Sequence, residues 1–272
     1  GLLIALVFVP NVASAAFLYF ESSKKEVSVG DTFIVSIIVD SEDAVVNSIE
    51  GDIVFGSKVN SVVNDFSLAK SVFTLWPRTP SLSQDGDMIS FVGGLPGGLD
   101  LNKAVLFNIV VEAQKEGEIN LSARDLSMFA SDGQGTVIPV KSNTSSIKVN
   151  PKRESGIPSN EWVNLVLGDK TSPKEFPITL GRETSLFEGK RFAFFTAIDE
   201  ESGISYYEVS ENGKLPVRSG SMYLLENQDE NLDPDLVVTA YDKAGNKTIS
   251  KYQPVVTSFF GFTLKTLVVT IL

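Results

Sequence analysis

Carboxylate side chains, which could bind a cation, cluster in two short stretches of this sequence. The first stretch is Asp199–Glu200–Glu201, and the second contains Asp229, Glu230, Asp233 and Asp235. Calcium needs several hard oxygen ligands that converge on one point, and such carboxylates supply that kind of ligand. Neither stretch has the spacing of an EF-hand loop, however. We therefore favour solvated acidic loops over a calcium site.

The composition excludes most catalytic and redox chemistry. The chain of 272 residues contains no His and no Cys. It therefore lacks the commonest general base, and it can form neither disulfides nor thiolate metal sites. Two carboxylates can hydrolyse a glycoside, but no glycosidase motif is present. We expect a protein that is not an enzyme and has no catalytic residue, no cofactor and no bound metal.

The charge of the chain excludes one class of partner. The formal net charge is −11 at pH 7, so the protein would repel a phosphate backbone, and we expect no nucleic-acid partner. Hydrophobic residues make up 43% and charged residues 21%, which is typical of a globular protein. The length is enough for two domains, each with its own core.

Trp76, Pro77 and Arg78 form another short stretch whose residue types are suited to binding. Aromatic and Arg side chains on loops are common at binding sites, and residues 64–80 read as irregular. Trp76 and Arg78 are therefore candidate binding residues. A Trp folded over the end of a β-sandwich core would give the same sequence, so both interpretations stay open for Trp76.

The elements that must position these residues are short β-strands. Apolar and polar residues alternate with period two, and segments rich in Gly or Pro separate the alternating runs. No segment has the period of a helix, so we predict a β-sandwich of about 130 residues. Its predicted strands are residues 32–40, 49–55, 59–63, 88–92, 104–113, 119–123, 137–140 and 146–149.

Four motifs in this part of the chain follow the order found in cohesin modules. They are V-x-V-G-D-x-F at residues 27–33, N-x-x-x-G-x-I-x-F at 47–55, I-S-F-x-G-G at 89–94 and D-G-x-G at 132–135. Residues 16–149 therefore resemble a cohesin or a related carbohydrate-binding module, both of which are jelly-roll sandwiches. For a cohesin, the resemblance implies a calcium-loaded dockerin as partner, bound through one sheet face. For the related modules it implies a polysaccharide.

The resemblance also implies which strand faces the partner. In cohesins, the strand that matches residues 49–55 belongs to the sheet that binds the dockerin. Alternation along this strand buries Ile49 and Ile53, so Glu50 and Asp52 are predicted to point outward. Their charges suit a partner that presents Lys, Arg or a partly coordinated cation. The alternative is an acidic, solvent-facing strand without a partner.

A second module is predicted after a polar linker at residues 150–160, which contain Pro and Gly. Residues 199–209 (DEESGISYYEV) and 237–246 (VVTAYDKAGN) resemble bacterial Ig-like repeats, which usually act as spacers. We therefore predict an Ig-like β-sandwich over residues 161–254. Asn212-Gly213 indicates a turn between two of its strands. The predicted strands are residues 191–198, 204–210, 221–225 and 236–241.

Apolar segments lie at both ends of the sequence. Residues 1–15 end in Ala13-Ser14-Ala15, which is typical of a signal peptide, here with a truncated start. A buried first strand is the alternative. Residues 255–272 are apolar apart from Ser, Thr and Lys265, which predicts a membrane-proximal segment or the start of a transmembrane segment. A terminal strand of the Ig-like module is the alternative there.

The sequence therefore predicts an all-β protein, with a cohesin-like jelly-roll β-sandwich followed by an Ig-like β-sandwich. The expected function is that of an exported, membrane-tethered, non-catalytic protein at the cell surface. Its partner would be a dockerin-like protein, with Glu50, Asp52, Trp76 and Arg78 as candidate contact residues. Two alternatives remain: a carbohydrate-binding module that takes a polysaccharide, and a structural surface component without a discrete ligand.

Overall fold

The described part of the chain folds into two compact units of β-sheet. The structure is a computed structural model that describes residues 15–56, 60–184 and 186–253. The first unit contains residues 15–169 and 200–203, and the second contains residues 170–199 and 204–253. Each unit has two sheets and its own cluster of buried apolar side chains. The predicted fold class, two successive β-sandwiches, is confirmed.

Both predicted terminal segments, the signal peptide and the membrane-proximal segment, lie outside the described residues apart from Ala15. Within the described ranges, no helix has the length and apolar character needed to cross a bilayer.

The smaller sheet of the first unit has five strands. They are Ala16–Ser22 (β1), Thr32–Asp40 (β3), Ser61–Ser67 (β5), Ala104–Ala113 (β8) and Val140–Ser142 (β11). Their order across the sheet is β11–β1–β3–β8–β5, and only the pair of β1 with β11 is parallel. Alternate residues of β3 and β8 are apolar and fully buried, as the period-two pattern predicts.

The larger sheet packs against the smaller one and has seven strands. They are Glu26–Ser28 (β2), Val45–Phe55 (β4), Leu75–Leu82 (β6), Met88–Asp100 (β7), Gly117–Ala130 (β9), Val137–Ile138 (β10) and Ser145–Asn150 (β12). The order is β2–β12–β9–β4–β7–β6, and β10 pairs with β9. The edge strand β6 carries Pro77 and Pro80, which lack the N–H that an interior strand needs.

The segment predicted to be a linker belongs to the first unit. The Thr32 N–H donates to the Ser159 carbonyl at 2.8 Å, and Asn160 forms a parallel bridge with Thr32. The helix Glu161–Gly168 (α1) follows, and its N-cap Asn160 accepts from the Val163 N–H at 2.9 Å. The division between the units therefore falls after Asp169 and not at residues 150–160.

The second unit has a three-stranded and a four-stranded sheet. The first contains Ile178–Glu183 (β13), Leu186–Phe195 (β14) and Met222–Leu224 (β17), in the order β13–β14–β17. The second contains Ile204–Glu211 (β15), Val217–Ser219 (β16), Leu236–Asp242 (β18) and Lys247–Lys251 (β19), in the order β16–β15–β18–β19. Asn212 and Gly213 have left-handed φ angles of 54° and 72° in the connection from β15 to β16, as the predicted turn requires.

Candidate functional site

One row of side chains on the outer face of the larger sheet unites two of the predicted binding residues. Arg78 of β6 is the register partner of Val92 of β7, which is in turn the partner of Glu50 of β4. Glu50 is also the partner of Ser127 of β9. We call these four residues the charged row. Partners on adjacent strands share a face, and strands lie about 4.8 Å apart, so the Arg78 and Glu50 backbones are separated by about 10 Å.

Both charges of the charged row are open to solvent. Arg78 and Glu50 are exposed, whereas Val92 between them is partly buried. Neither charged side chain makes a hydrogen bond or an ion pair with another residue in the described ranges. The row therefore offers one cation and one anion, on either side of an apolar contact, without any internal bond that a partner would first have to break.

Asp52, the other predicted acidic residue, is engaged inside the protein. Its Oδ1 accepts from the Ser90 hydroxyl at 2.7 Å, and its Oδ2 lies 3.5 Å from Nε of Arg124. The Asp52 side chain is only 19% exposed, compared with 57% for Arg124. The structure therefore places Asp52 on the same face as Glu50, but with its charge already paired.

A β-bulge in β9 brings Arg124 beside Asp52. Ser127 is the register partner of Glu50 and Arg124 is the partner of Asp52, so two residues of β9, Asp125 and Leu126, lie opposite the single residue Gly51. Asp125 adopts the left-handed φ of 50° that the extra residue imposes. A Cβ on Gly51 would lie 2.6 Å from Cδ2 of Leu126, so a larger residue at this position would force the Leu126 side chain to move.

Trp76 belongs to the core and not to the outer face. It is 9% exposed, and its Nε1–H donates to the Phe73 carbonyl at 3.1 Å. Its ring centroid lies 6.1 Å from that of Phe73 and 6.3 Å from that of Phe107. The structure thus agrees with the core interpretation of Trp76 and differs from the predicted binding role, because the residue is almost entirely covered by the protein. Pro77 and Arg78, which follow Trp76 on the same strand, are exposed.

The buried carboxylate of Asp31 is the strongest electrostatic feature of the first unit. Asp31 is 1% exposed and accepts two hydrogen bonds of 2.7 Å from the guanidinium of Arg153. The N–H groups of Ser28 and Ser159 donate to it at 2.9 and 2.8 Å. Burial by itself would raise the pKa of Asp31, but these donors outweigh it and hold the pKa well below its usual range.

The sequence shows Asp31 only as part of the V-x-V-G-D motif. Its partner Arg153 lies 122 positions later, in the segment predicted to be a linker. A lone Asp after V-x-V-G and a lone Arg in a polar segment carry no signal that they pair.

The D-G-x-G motif forms a local turn after β9. Oδ1 of Asp132 accepts from the Gln134 N–H at 2.8 Å, and Oδ2 accepts from the Thr136 hydroxyl. These bonds, chiefly that from Thr136, lower the pKa of Asp132. The motif therefore shapes the chain between β9 and β10.

The two acidic stretches form turns and surface contacts. Oδ1 of Asp229 accepts from the Asn231 N–H at 2.9 Å, and Glu230 pairs with Arg182. Asp199 is buried, whereas Glu200 and Glu201 are exposed, so these three carboxylates do not share one surface.

A groove of about 510 Å³ runs beside α1 on the smaller sheet. Its polar groups bind one another. Glu161 accepts from the Ser23 hydroxyl at 3.0 Å and from the Ile34 N–H at 3.3 Å, and the Ser36 hydroxyl donates to Asn108 at 2.7 Å. These contacts hold α1 against the strand β3, where β1 has ended.

Among the comparisons with known proteins, the comparison with solved structures found similar chains, and the other two found none. No protein-family model matches the sequence, and no curated protein matches it. A non-cellulosomal cohesin from Archaeoglobus fulgidus is similar at 13% identity and a TM-score of 0.41, over 50% of this chain and 92% of that one. The seventh ScaB type I cohesin from Pseudobacteroides cellulosolvens is similar at 16% identity and a TM-score of 0.44, over 53% and 97%. The cohesin of a type I cohesin–dockerin complex from Clostridium thermocellum is similar at 12% identity and a TM-score of 0.44, over 53% and 99%.

Proposed function

We propose that this chain is an exported, membrane-tethered, non-catalytic protein of the cell surface, which binds a dockerin-type protein through the outer face of the larger sheet. The partner class is the one that the cohesin-like motifs of the sequence imply. The second unit then serves as a spacer, as its resemblance to Ig-like repeats implies.

The charged row is the observation that carries this proposal. Arg78 and Glu50 stand about 10 Å apart on a sheet face, with Val92 between them, and both charges lack an internal partner among the described residues. A docking protein with an acidic and a basic side chain at that separation would pair both charges and cover Val92. Charges at the rim of such a contact chiefly raise the association rate.

The polysaccharide alternative is less well supported. A sugar-binding face needs aromatic rings that lie open to solvent, and Trp76 is the one aromatic residue among the four predicted contact residues. Trp76 is buried, and none of the four residues of the charged row is aromatic.

Exchange of the two charges tests the protein-binding proposal. The double variant Glu50→Lys with Arg78→Glu keeps the net charge but places like charges against the partner. Binding to purified, calcium-loaded dockerin modules of the same proteome should weaken by roughly tenfold, mainly in the association rate, with a reduced dependence on salt. Surface plasmon resonance at two ionic strengths measures both quantities.

A matched control exchanges two exposed charges elsewhere on the first unit, Glu116→Lys with Lys141→Glu. This control also keeps the net charge, and it should bind like the parent protein. Asp52 is left unchanged, because its loss would break the bonds to Ser90 and Arg124 and disturb the sheet. The absence of binding by the parent protein, or equal binding by the charge-exchanged variant, would refute the proposal.

Export and tethering have a separate test. The mature chain should begin at Ala16, because the site Ala13-Ser14-Ala15 precedes it. The full-length protein should remain with membranes during extraction with carbonate at high pH. A mature chain that still carries residues 2–12 would refute export, and release by carbonate would refute the tether.

A further inference from the structure

Three Asn residues of the chain stand in the acceptor pattern for N-linked glycans, Asn-x-Ser/Thr. They are Asn120-Leu121-Ser122, Asn143-Thr144-Ser145 and Asn246-Lys247-Thr248. In exported proteins, this pattern marks Asn side chains whose Nδ2 can receive an oligosaccharide. The three sites have the same pattern but differ in the structure around the Asn.

Asn246 is held inside a turn. Its Nδ2 donates to Oδ2 of Asp242 at 2.9 Å, and its backbone N–H donates to Oδ1 of the same residue at 2.8 Å. Asp242 is buried and Asn246 itself is partly buried. The reactive nitrogen is therefore already engaged in a bond that glycosylation would disturb.

Asn120 is exposed, but it lies within a strand that is paired on both sides. It is the register partner of Ser146 on β12, and its carbonyl accepts from the Gly56 N–H at 2.8 Å on the other side. A transferase that needs the acceptor segment lifted off the surface would have to break both ladders at this point.

Asn143 lies outside the strands, and its backbone N–H makes one long hydrogen bond, to the Leu18 carbonyl at 3.4 Å. It is exposed and lies in the two-residue connection between β11 and β12. Its Oδ1 accepts from the Phe20 N–H at 3.3 Å, which fixes the amide so that the oxygen faces β1. Its Nδ2 makes no hydrogen bond with another residue in the part of the chain that the structure describes. An N-linked sugar leaves Oδ1 in place, so the contact with Phe20 survives the modification.

We propose that Asn143 is an N-glycosylation site of the folded chain and that Asn120 and Asn246 remain unmodified. The co-substrate is an oligosaccharide whose anomeric carbon is bonded to a phosphate oxygen of a lipid carrier. Nδ2 forms a bond to that carbon, the carbon–oxygen bond breaks with its electron pair retained by the carrier phosphate, and the proton lost from Nδ2 passes to the solvent. This inference requires the export proposed above.

The position of Asn143 gives the glycan a physical role. The residue follows β11, which is one of the two edge strands of the smaller sheet. An exposed edge strand offers unpaired N–H and carbonyl groups to other chains, and a bulky hydrophilic group beside it hinders such pairing. The charged row lies on the other sheet of the sandwich, so a glycan on Asn143 leaves that row accessible.

Peptide mapping by mass spectrometry of the full chain, exported by its native cells and extracted from their membranes, tests this proposal. We expect an added oligosaccharide mass confined to the peptide that contains Asn143. The mass should disappear in Asn143→Gln and in Ser145→Ala, and it should persist in Ser145→Thr, which keeps the acceptor pattern. Circular dichroism of each variant checks that the fold is retained.

Two results would overturn the proposal. The first is an unmodified Asn143 peptide in exported protein. The second is modification of all three Asn residues, which would mean transfer to the unfolded chain and no selection by the fold. Failure of export is distinguished from both, because the protein would then retain its leader peptide and remain inside the cell.

Discussion

Replacement of Trp76 by Ala should lower the free energy of unfolding of the first unit by about 3–5 kcal/mol, the range for loss of a large buried aromatic side chain. The indole packs against Phe73 and Phe107, and its Nε1–H bonds the Phe73 carbonyl at 3.1 Å. The substitution leaves a cavity between the two sheets and removes a donor from a buried carbonyl. Trp76→Phe, which keeps a ring, should cost less.

Chemical denaturation followed by tryptophan fluorescence measures this effect in the full chain. The chain has two Trp residues, Trp76 and Trp162, and both lie in the first unit, so Trp162 still reports on that unit in the variant. Arg78→Ala is the matched control on the same strand. It removes an exposed side chain and should change stability by about 0.5 kcal/mol or less. Unchanged stability of Trp76→Ala would contradict the core position of the indole.

Trp76 illustrates where sequence patterns lose information. Pro77 and Pro80 prevent β6 from being recognised as a strand in the sequence, because Pro is normally evidence against a strand. In the structure, β6 is an edge strand, where a missing N–H costs little. The second unit shows the same limit, since the three strands that the sequence did not predict, β13, β16 and β19, are all edge strands. Edge strands bury less of either face, so their alternation is weaker.

Two interior strands that bury one full face were predicted well. The predicted strands at residues 32–40 and 104–113 coincide with β3 and β8, whose inward residues are apolar throughout. The alternation also predicted that Glu50 and Asp52 point outward. It could not show that Asp52 is paired with Arg124, because that contact depends on the bulge and on the register of β9 against β4.

Long-range pairing also explains why the linker prediction is wrong. Residues 150–160 have the polar composition, with Pro and Gly, of a flexible connection. The buried carboxylate of Asp31 needs donors, however, and Arg153 and Ser159 of this segment supply them. The hydrogen bonds of this one buried carboxylate thus attach residues 150–160 to the first unit. The sequence pattern alone predicts a β-sandwich that ends at residue 149.

Asp31→Asn should lower the free energy of unfolding of the first unit by about 2 kcal/mol at pH 7, because hydrogen bonds to a charged group are worth about 1.5–3 kcal/mol. Asn keeps the shape of the side chain but loses the charge and one of the two acceptor oxygens that Arg153 binds. In the parent protein, the N–H groups of Ser28 and Ser159 donate to different oxygens of Asp31. Because Asn has a single side-chain oxygen, one of these two N–H groups loses its acceptor.

The effect of Asp31→Asn should depend on pH in a definite direction. The pKa of Asp31 in the folded protein is below its usual range, and in the unfolded chain it is about 3.9. The carboxylate therefore contributes its full stability above about pH 4, and it loses that contribution as the pH falls toward the folded pKa. Denaturant titrations at pH 7, 4 and 2.5 should show that the difference in free energy of unfolding between the parent protein and Asp31→Asn is smallest in the most acidic buffer.

Asp125→Asn, at an exposed residue in the β9 bulge, is the control, and its free energy of unfolding should follow that of the parent protein at every pH. A difference between the parent protein and Asp31→Asn that is equal at pH 7 and pH 2.5 would mean that the charge of Asp31 does not hold residues 150–160 in place.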